Sequence, residues 1–218
     1  MNKKLKAFAL AFLLLTLVTG ILLGFTLGLT HPLPWVLIVA LALVIVLNKK
    51  ATESQFVTWK DEYSVGIESI DDDHKMLLKL INQLQTSSLY YTGEDFDKEA
   101  LNELLEYTKF HFSREEKMME ENGYPDFEAH RKQHVNMTDE VVRKVKEYEA
   151  DSEKTVEDLL DYLKKWLINH INGTDKKYSA FLLEKGVNPW RCPWNKYGFA
   201  RNFATGHRYT GINAFLMI

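Results

Sequence analysis

The chain is nearly devoid of cysteine. Its single thiol is Cys192, so no disulfide within the chain supports the fold. A CxxCH haem attachment site and a four-cysteine cluster are excluded on the same ground. Any metal held here must be bound through nitrogen and oxygen. A strong excess of either charge is also missing. The formal net charge is -3, and no basic stripe or nucleic-acid motif is present, which argues against a nucleic-acid partner. Most conspicuous is the lack of any Lys, Arg, Asp or Glu between Ala7 and Leu47, a stretch made mostly of Leu, Val, Ile, Phe and Ala. It is too long for the apolar core of a signal peptide, which runs roughly 7–15 residues. It also exceeds the roughly 20 residues that one helical span requires.

That apolar stretch breaks at Gly28-Leu29-Thr30-His31-Pro32-Leu33-Pro34, where proline suits a loop and the first turn of a new helix. Two spans are therefore expected, over residues 5–25 and 34–47, the second short for a full crossing. The other reading is one long span with a reentrant piece, which places the rest of the chain outside. Lys3, Lys4 and Lys6 precede the pair and Lys49 and Lys50 follow it, while the connecting loop carries only His31. The excess of lysine at both ends predicts that both face the cytoplasm, with the anchor in the inner, cytoplasmic membrane.

Beyond Trp59 the periodicity is helical and strand alternation is absent. Four helices are expected near residues 70–89, 97–121, 126–148 and 153–184. Gly93, the Asn122-Gly123 pair, Pro125 and Gly186 mark their ends. Short connections between such helices imply an all-α, up-down-up-down antiparallel four-helix bundle. The domain plan is a membrane anchor at 1–50, a linker at 51–58, the bundle at 59–186 and a separate extension at 187–218.

The chain has seven histidines, and five fall on these helices: His74, His111, His130, His134 and His170. Residues four apart share a helix face, so His111/Glu115 and His130/His134 can each aim two donors at one place. Leu104, Phe110, Met118 and Met119, with Trp166, Leu167 and Ile171, identify that face as the interior. His170 and Asp175 fit less well, since five residues leave them roughly 140° apart on a regular helix. Either a local widening at Gly173, such as a π-bulge, or the seating of the helix must bring both inward. Burying so many ionisable groups without a partner would be costly, which favours a metal centre over five unrelated core histidines. Imidazole and carboxylate suit Fe, Mn, Zn or Cu. With Glu115 and Asp175 each bridging two metals, five histidines divide three and two. Together with a solvent-derived bridge, this leaves one metal six-coordinate and the other with an open position.

These residues resemble the hemerythrins, specifically the bacterial type, over roughly residues 56–186. The likeness rests on Trp59, Val65-Gly66, Asp71-x-x-His74, His111-Phe112-x-x-Glu115-Glu116, Tyr124-Pro125, His130-x-x-x-His134 and Trp166-Leu167-x-x-His170-Ile171-x-x-x-Asp175-x-x-Tyr178. Asp73 departs from the glutamine common in that family, at a position that is not a ligand. The resemblance implies a non-haem di-iron centre, oxo- or hydroxo-bridged. His130, His134 and His170 would serve one iron, His74 and His111 the other, and Glu115 and Asp175 would bridge them. It further implies reversible binding of dioxygen at the open position, and it accounts for the His170–Asp175 spacing. Leu78, Phe112, Trp166, Leu167 and Ile171 are candidates for an apolar lining around that position, or are ordinary core.

The expected function is dioxygen storage or delivery at the membrane, with the lipid bilayer and an O2-consuming membrane enzyme complex as partners. The alternatives are a sensor of oxygen, nitric oxide or redox state acting through another protein, a di-iron enzyme, or an iron store. No nucleophile or second cofactor motif is visible, and the Glu-x-x-His pairs of carboxylate-rich di-iron bundles are absent, so no enzymatic activity is expected. The extension from Asn188 has no Asp or Glu, and it carries Arg191, Lys196, Arg201 and Arg208 among aromatics from Trp190 to Phe215. It suits either an anionic membrane surface or a disordered tail.

Overall fold

A computed structural model describes residues 3–90, 94–150 and 152–186. The chain divides into two compact units, Met1–Phe56 and Val57–Ile218. The basic aromatic extension and the loop at Gly93 lie outside the described residues.

The first unit is a pair of helices, α1 (Lys3–Phe25) and α2 (Pro32–Glu53). Gly28 turns the connection with φ 114°, a backbone region that an L side chain rarely adopts. His31 caps α2 by accepting from the Leu33 amide through Nδ1 at 3.2 Å, and proline occupies the first helical turn. The expected second span stopped at residue 47, where charge begins. The helix instead runs on through Lys49 and Lys50, which are good helix formers, and Lys49 pairs with Glu53 at 3.7 Å. Its 22 residues reach about 33 Å at 1.5 Å each. Both helices are long and apolar enough to cross a membrane. Glycine lets the two approach closely, since a Cβ on Gly20 would meet Leu37 at 3.1 Å and one on Gly24 would meet Pro34 at 3.3 Å. Thr16 and Thr19 donate their hydroxyls to carbonyls one turn back. Phe8, Phe12, Leu22, Val39 and Val46 are exposed on this pair, more apolar surface than soluble monomers usually leave uncovered.

The second unit is built on α3 (Glu68–Tyr90), α4 (Glu94–Glu121), α5 (Phe127–Ala150) and α6 (Ser152–His170), the last continued by a π-helical stretch, Ile171–Asp175, and α7 (Lys176–Glu184). Side-chain bonds fix the helix directions. Ser87 pairs with Asp97, Gln83 with Glu103 and Asp73 with Tyr107, so partners on α3 and α4 run in opposite order. Gln85 with Lys164 and His74 with Asp175 do the same for α3 and α6. Lys144 over Tyr162 and Gln133 with Thr174 repeat it for α5 and α6. The four form an antiparallel bundle.

Each helix buries one stripe. Ile70, Leu77, Leu84, Leu104, Met119, Val141, Leu159, Leu160 and Leu182 are 2% exposed or less. The chain ahead of α3 is lashed to it. Asn82 exchanges two bonds with the Val57 backbone, and the Asp71 carboxylate accepts from Ser64 Oγ at 2.6 Å and the Val65 amide at 2.8 Å. Gly123, at φ 65°, closes α4 and turns the chain into α5.

Candidate metal centre

His74 on α3, His111 and Glu115 on α4, His130 and His134 on α5, His170 ending α6 and Asp175 ending the π stretch all point into one layer of the bundle. None of the seven is more than 4% exposed. The four-residue spacing does the work on α4 and α5. On the last helix the π stretch supplies the missing rotation, because i→i+5 bonding widens the turn until residues five apart share a face. His170 Nε2 thereby comes within 3.1 Å of Asp175 Oδ1. Gly173 is not forced by sterics, since a Cβ there would meet nothing within 4 Å.

The donors fall into two groups. Nε2 of His134 lies 3.1 Å from Nε2 of His130 and 3.0 Å from Nε2 of His170. His74 and His111 form the other group, with ring centroids 4.8 Å apart. Each carboxylate faces both. Asp175 turns Oδ1 to His130 (3.5 Å) and His170, and Oδ2 to His74 (3.3 Å). Glu115 turns Oε2 to His134 (3.4 Å) and His130 (3.7 Å), and Oε1 to His111 (3.6 Å) and His74 (3.8 Å).

Electrostatics follow from this crowding. Burial would raise the pKa of Glu115, but His111, His130 and His134 hold it well below the usual carboxylate range. Burial would lower that of His134, but Glu115 and Glu116 pull it up to about 9. Burial and the neighbouring Glu115 and Asp175 push the Tyr178 phenol far up, so it stays protonated and donates to Glu115 Oε1 at 2.6 Å.

Much of this layer has no partner of its own. Both ring nitrogens of His74 and of His111, Oε2 of Glu115 and both oxygens of Asp175 are buried without a hydrogen bond among the described residues. Such atoms cost about 1–3 kcal/mol each. Three imidazole nitrogens converging on one another cannot satisfy each other by hydrogen bonding alone. Metal cations would take up these lone pairs, and an all-nitrogen and oxygen donor set suits Fe, Mn, Zn or Cu. Glu115 joins two potential cation-holding groups, one with His130, His134 and His170 and one with His74 and His111.

Side chains around the donors fix their orientation. Phe112 stacks on His134 at 3.7 Å and Trp166 on His170 at 4.2 Å. His134 Nδ1 meets Glu116 Oε1 at 2.9 Å. Asp73, which the sequence reading set aside, is 3% exposed. It accepts from Tyr107 Oη at 2.7 Å and Arg114 Nη1 at 2.9 Å, and lies 3.5 Å from His111 Nδ1.

One turn along the axis is a small apolar cavity of about 10 Å³, at the lower limit of what holds a single water. Phe112, Trp166 and Leu167 are among the residues that line it; Leu78 and Ile171 are buried outside that lining. Leu77 and Thr108, one turn from His74 and His111, complete the near wall. Thr108 spends its hydroxyl on the Leu104 carbonyl, so this wall stays apolar. Helical spacing from the histidines could have identified both.

Fold and site together define a helical bundle with two adjoining groups of buried donors able to hold metal cations. The family model "Hemerythrin HHE cation binding domain" matches residues 65–182, and the chain belongs to that family. A bacteriohemerythrin of Clostridium acetobutylicum is 32% identical over 124 residues, covering 55% of this chain and 96% of that protein. A myohemerythrin of Theromyzon tessulatum is 33% identical, covering 57% of this chain and 92% of its own. A crystal structure of wild-type hemerythrin superimposes with a TM-score of 0.52 at 29% identity, over 57% of this chain and 95% of that one. A second family match, to the N-terminal domain of anti-restriction factor ArdC, covers residues 182–218, almost all outside the described residues.

Proposed function

We propose that this protein binds dioxygen reversibly at a pair of non-haem irons and holds that oxygen store at a membrane. One observation carries the reading: Glu115 and Asp175 each turn one oxygen toward the three-imidazole group and the other toward the two-imidazole group. His130, His134 and His170 would hold one iron, His74 and His111 the other, and the two carboxylates would span both. The irons would supply the electrons that dioxygen takes up on binding and returns on release.

The chain's own residues do the rest. The two-imidazole group offers one ligand fewer, leaving room for a small molecule on its side. The cavity bounded by Leu77, Phe112, Trp166 and Leu167 is small and apolar, a lining that would disfavour water beside the irons and so slow irreversible oxidation. Tyr178 donates to Glu115 and holds that carboxylate in place. Among the described residues no nucleophile and no polar pocket for an organic substrate adjoins the donors, which favours a carrier over an enzyme.

The apolar helices α1 and α2 would anchor the bundle in the inner membrane. Lysines at both ends would keep the metal centre on the cytoplasmic side, where it can supply an O2-consuming membrane enzyme. The test is direct. Detergent-purified protein is assayed for iron, reduced without oxygen, and followed by visible spectroscopy as O2 is admitted and withdrawn. About two irons per chain and a band that comes and goes over repeated cycles are expected. A single irreversible oxidation would favour a redox sensor or an enzyme, and absence of iron would refute the reading.

A further inference from the structure

Beside the centre and outside its ligand set lie a buried carboxylate, Asp73, and a partly buried guanidinium, Arg114. Asp73 sits on α3 beside His74 but turns toward α4, where three groups meet its carboxylate. Tyr107 donates to Oδ1 at 2.7 Å. Arg114 donates from Nη1 to Oδ2 at 2.9 Å. His111 brings Nδ1 to within 3.5 Å of the same Oδ2. Arg114 is itself fixed, reaching the Ser69 carbonyl at 3.3 Å and lying over the Phe110 ring at 4.6 Å. The carboxylate therefore has little freedom to turn away from the imidazole. On its other side His111 presents Nε2 to Glu115, inside the cluster.

We propose that Asp73 is a positioning residue for His111: standing 3.5 Å behind Nδ1, it accepts a hydrogen bond from the Nδ1–H when Nε2 holds a metal ion, fixes the tautomer that leaves Nε2 free for that ion, and strengthens Nε2 as a donor. A carboxylate behind a ligating imidazole does both. Arg114 shares the oxygen that faces His111 and so attenuates the effect, making the pair a graded rather than a full negative charge. The two-imidazole half has the fewer donors, so it depends most on how well each is held. The inference rests on the proposed di-iron reading.

Full-length protein in detergent, stripped of metal, is titrated anaerobically with ferrous iron, and the midpoint potential of the loaded form is measured alongside. Wild type is expected to take two ions. Asp73→Asn is expected to take the first with unchanged affinity and the second about 10–100-fold more weakly, with a raised midpoint because a donor to the ferric state is lost. Arg114→Gln, which uncovers the carboxylate, lowers the midpoint. Tyr107→Phe takes a neutral hydrogen-bond donor off the same carboxylate; it shifts the midpoint in the direction of Arg114→Gln but by less, and serves if Asp73→Asn does not fold. Equal weakening of both ions, or midpoint shifts of one sign in Asp73→Asn and Arg114→Gln, would reduce the trio to a clamp between α3 and α4 and overturn the proposal. Two ions bound alike by wild type, Asp73→Asn and Tyr107→Phe would overturn it while leaving the proposed function intact. No ion bound by wild type would remove both.

Discussion

Asp175 meets both halves of the centre with one short side chain, which makes it the residue least replaceable by a near relative. An asparagine there keeps the shape but offers one oxygen and no charge. Asp175→Asn is expected to bring metal below two ions per chain by elemental analysis, with helix content by circular dichroism unchanged. Leu167 tests the apolar wall. Leu167→Ala should cost about 2–5 kcal/mol in denaturant unfolding and, by admitting water, shorten the lifetime of the oxygenated form; an unchanged lifetime would separate the cavity from oxygen binding. His111 with Glu115 and His130 with His134 were legible as inward pairs because each obeys the four-residue spacing of its helix. Asp73 was not, because its meaning lies in a contact with His111 across two helices, and no periodicity within one helix reports that.

Among the elements, the π stretch was the point at which sequence reasoning stalled. Composition could not choose between a widened turn and a reseated helix, because the extra residue leaves no side-chain signature. Gly173 looked like the cause, yet open space surrounds it and its φ lies outside the left-handed region. Gly173→Ala is therefore expected to keep full metal content and to melt no lower than wild type. Inserting one alanine after Gly173 should do the opposite. It would rotate Asp175, Tyr178 and Leu182 by about 100°, and all three are 0% exposed in the native register; metal content and melting temperature should both collapse. Helix ends were read less well than helix faces. The start of charge at Lys49 suggested a stop for α2, but lysine and glutamate continue a helix as readily as they end an apolar run.

For the whole molecule, pH separates the metal-free from the loaded form. His134 has its folded pKa raised to about 9, above its unfolded value near 6.5. In the metal-free protein its contribution is therefore complete below about pH 6.5 and lost as pH rises through about 9. Metal needs the unprotonated ring, so loading strengthens over the same window. The difference in melting temperature between loaded and metal-free protein should widen from about pH 6.5 to about 9, and a constant difference would count against metal ligation by His134. A broader consequence comes from where the seven donors originate. They are drawn from all four helices and the π stretch, so bound cations would cross-link the bundle and favour the folded chain by mass action. Metal supply would then set how long each copy resists proteolysis, and in a cell short of that metal the empty protein would be dismantled rather than left standing.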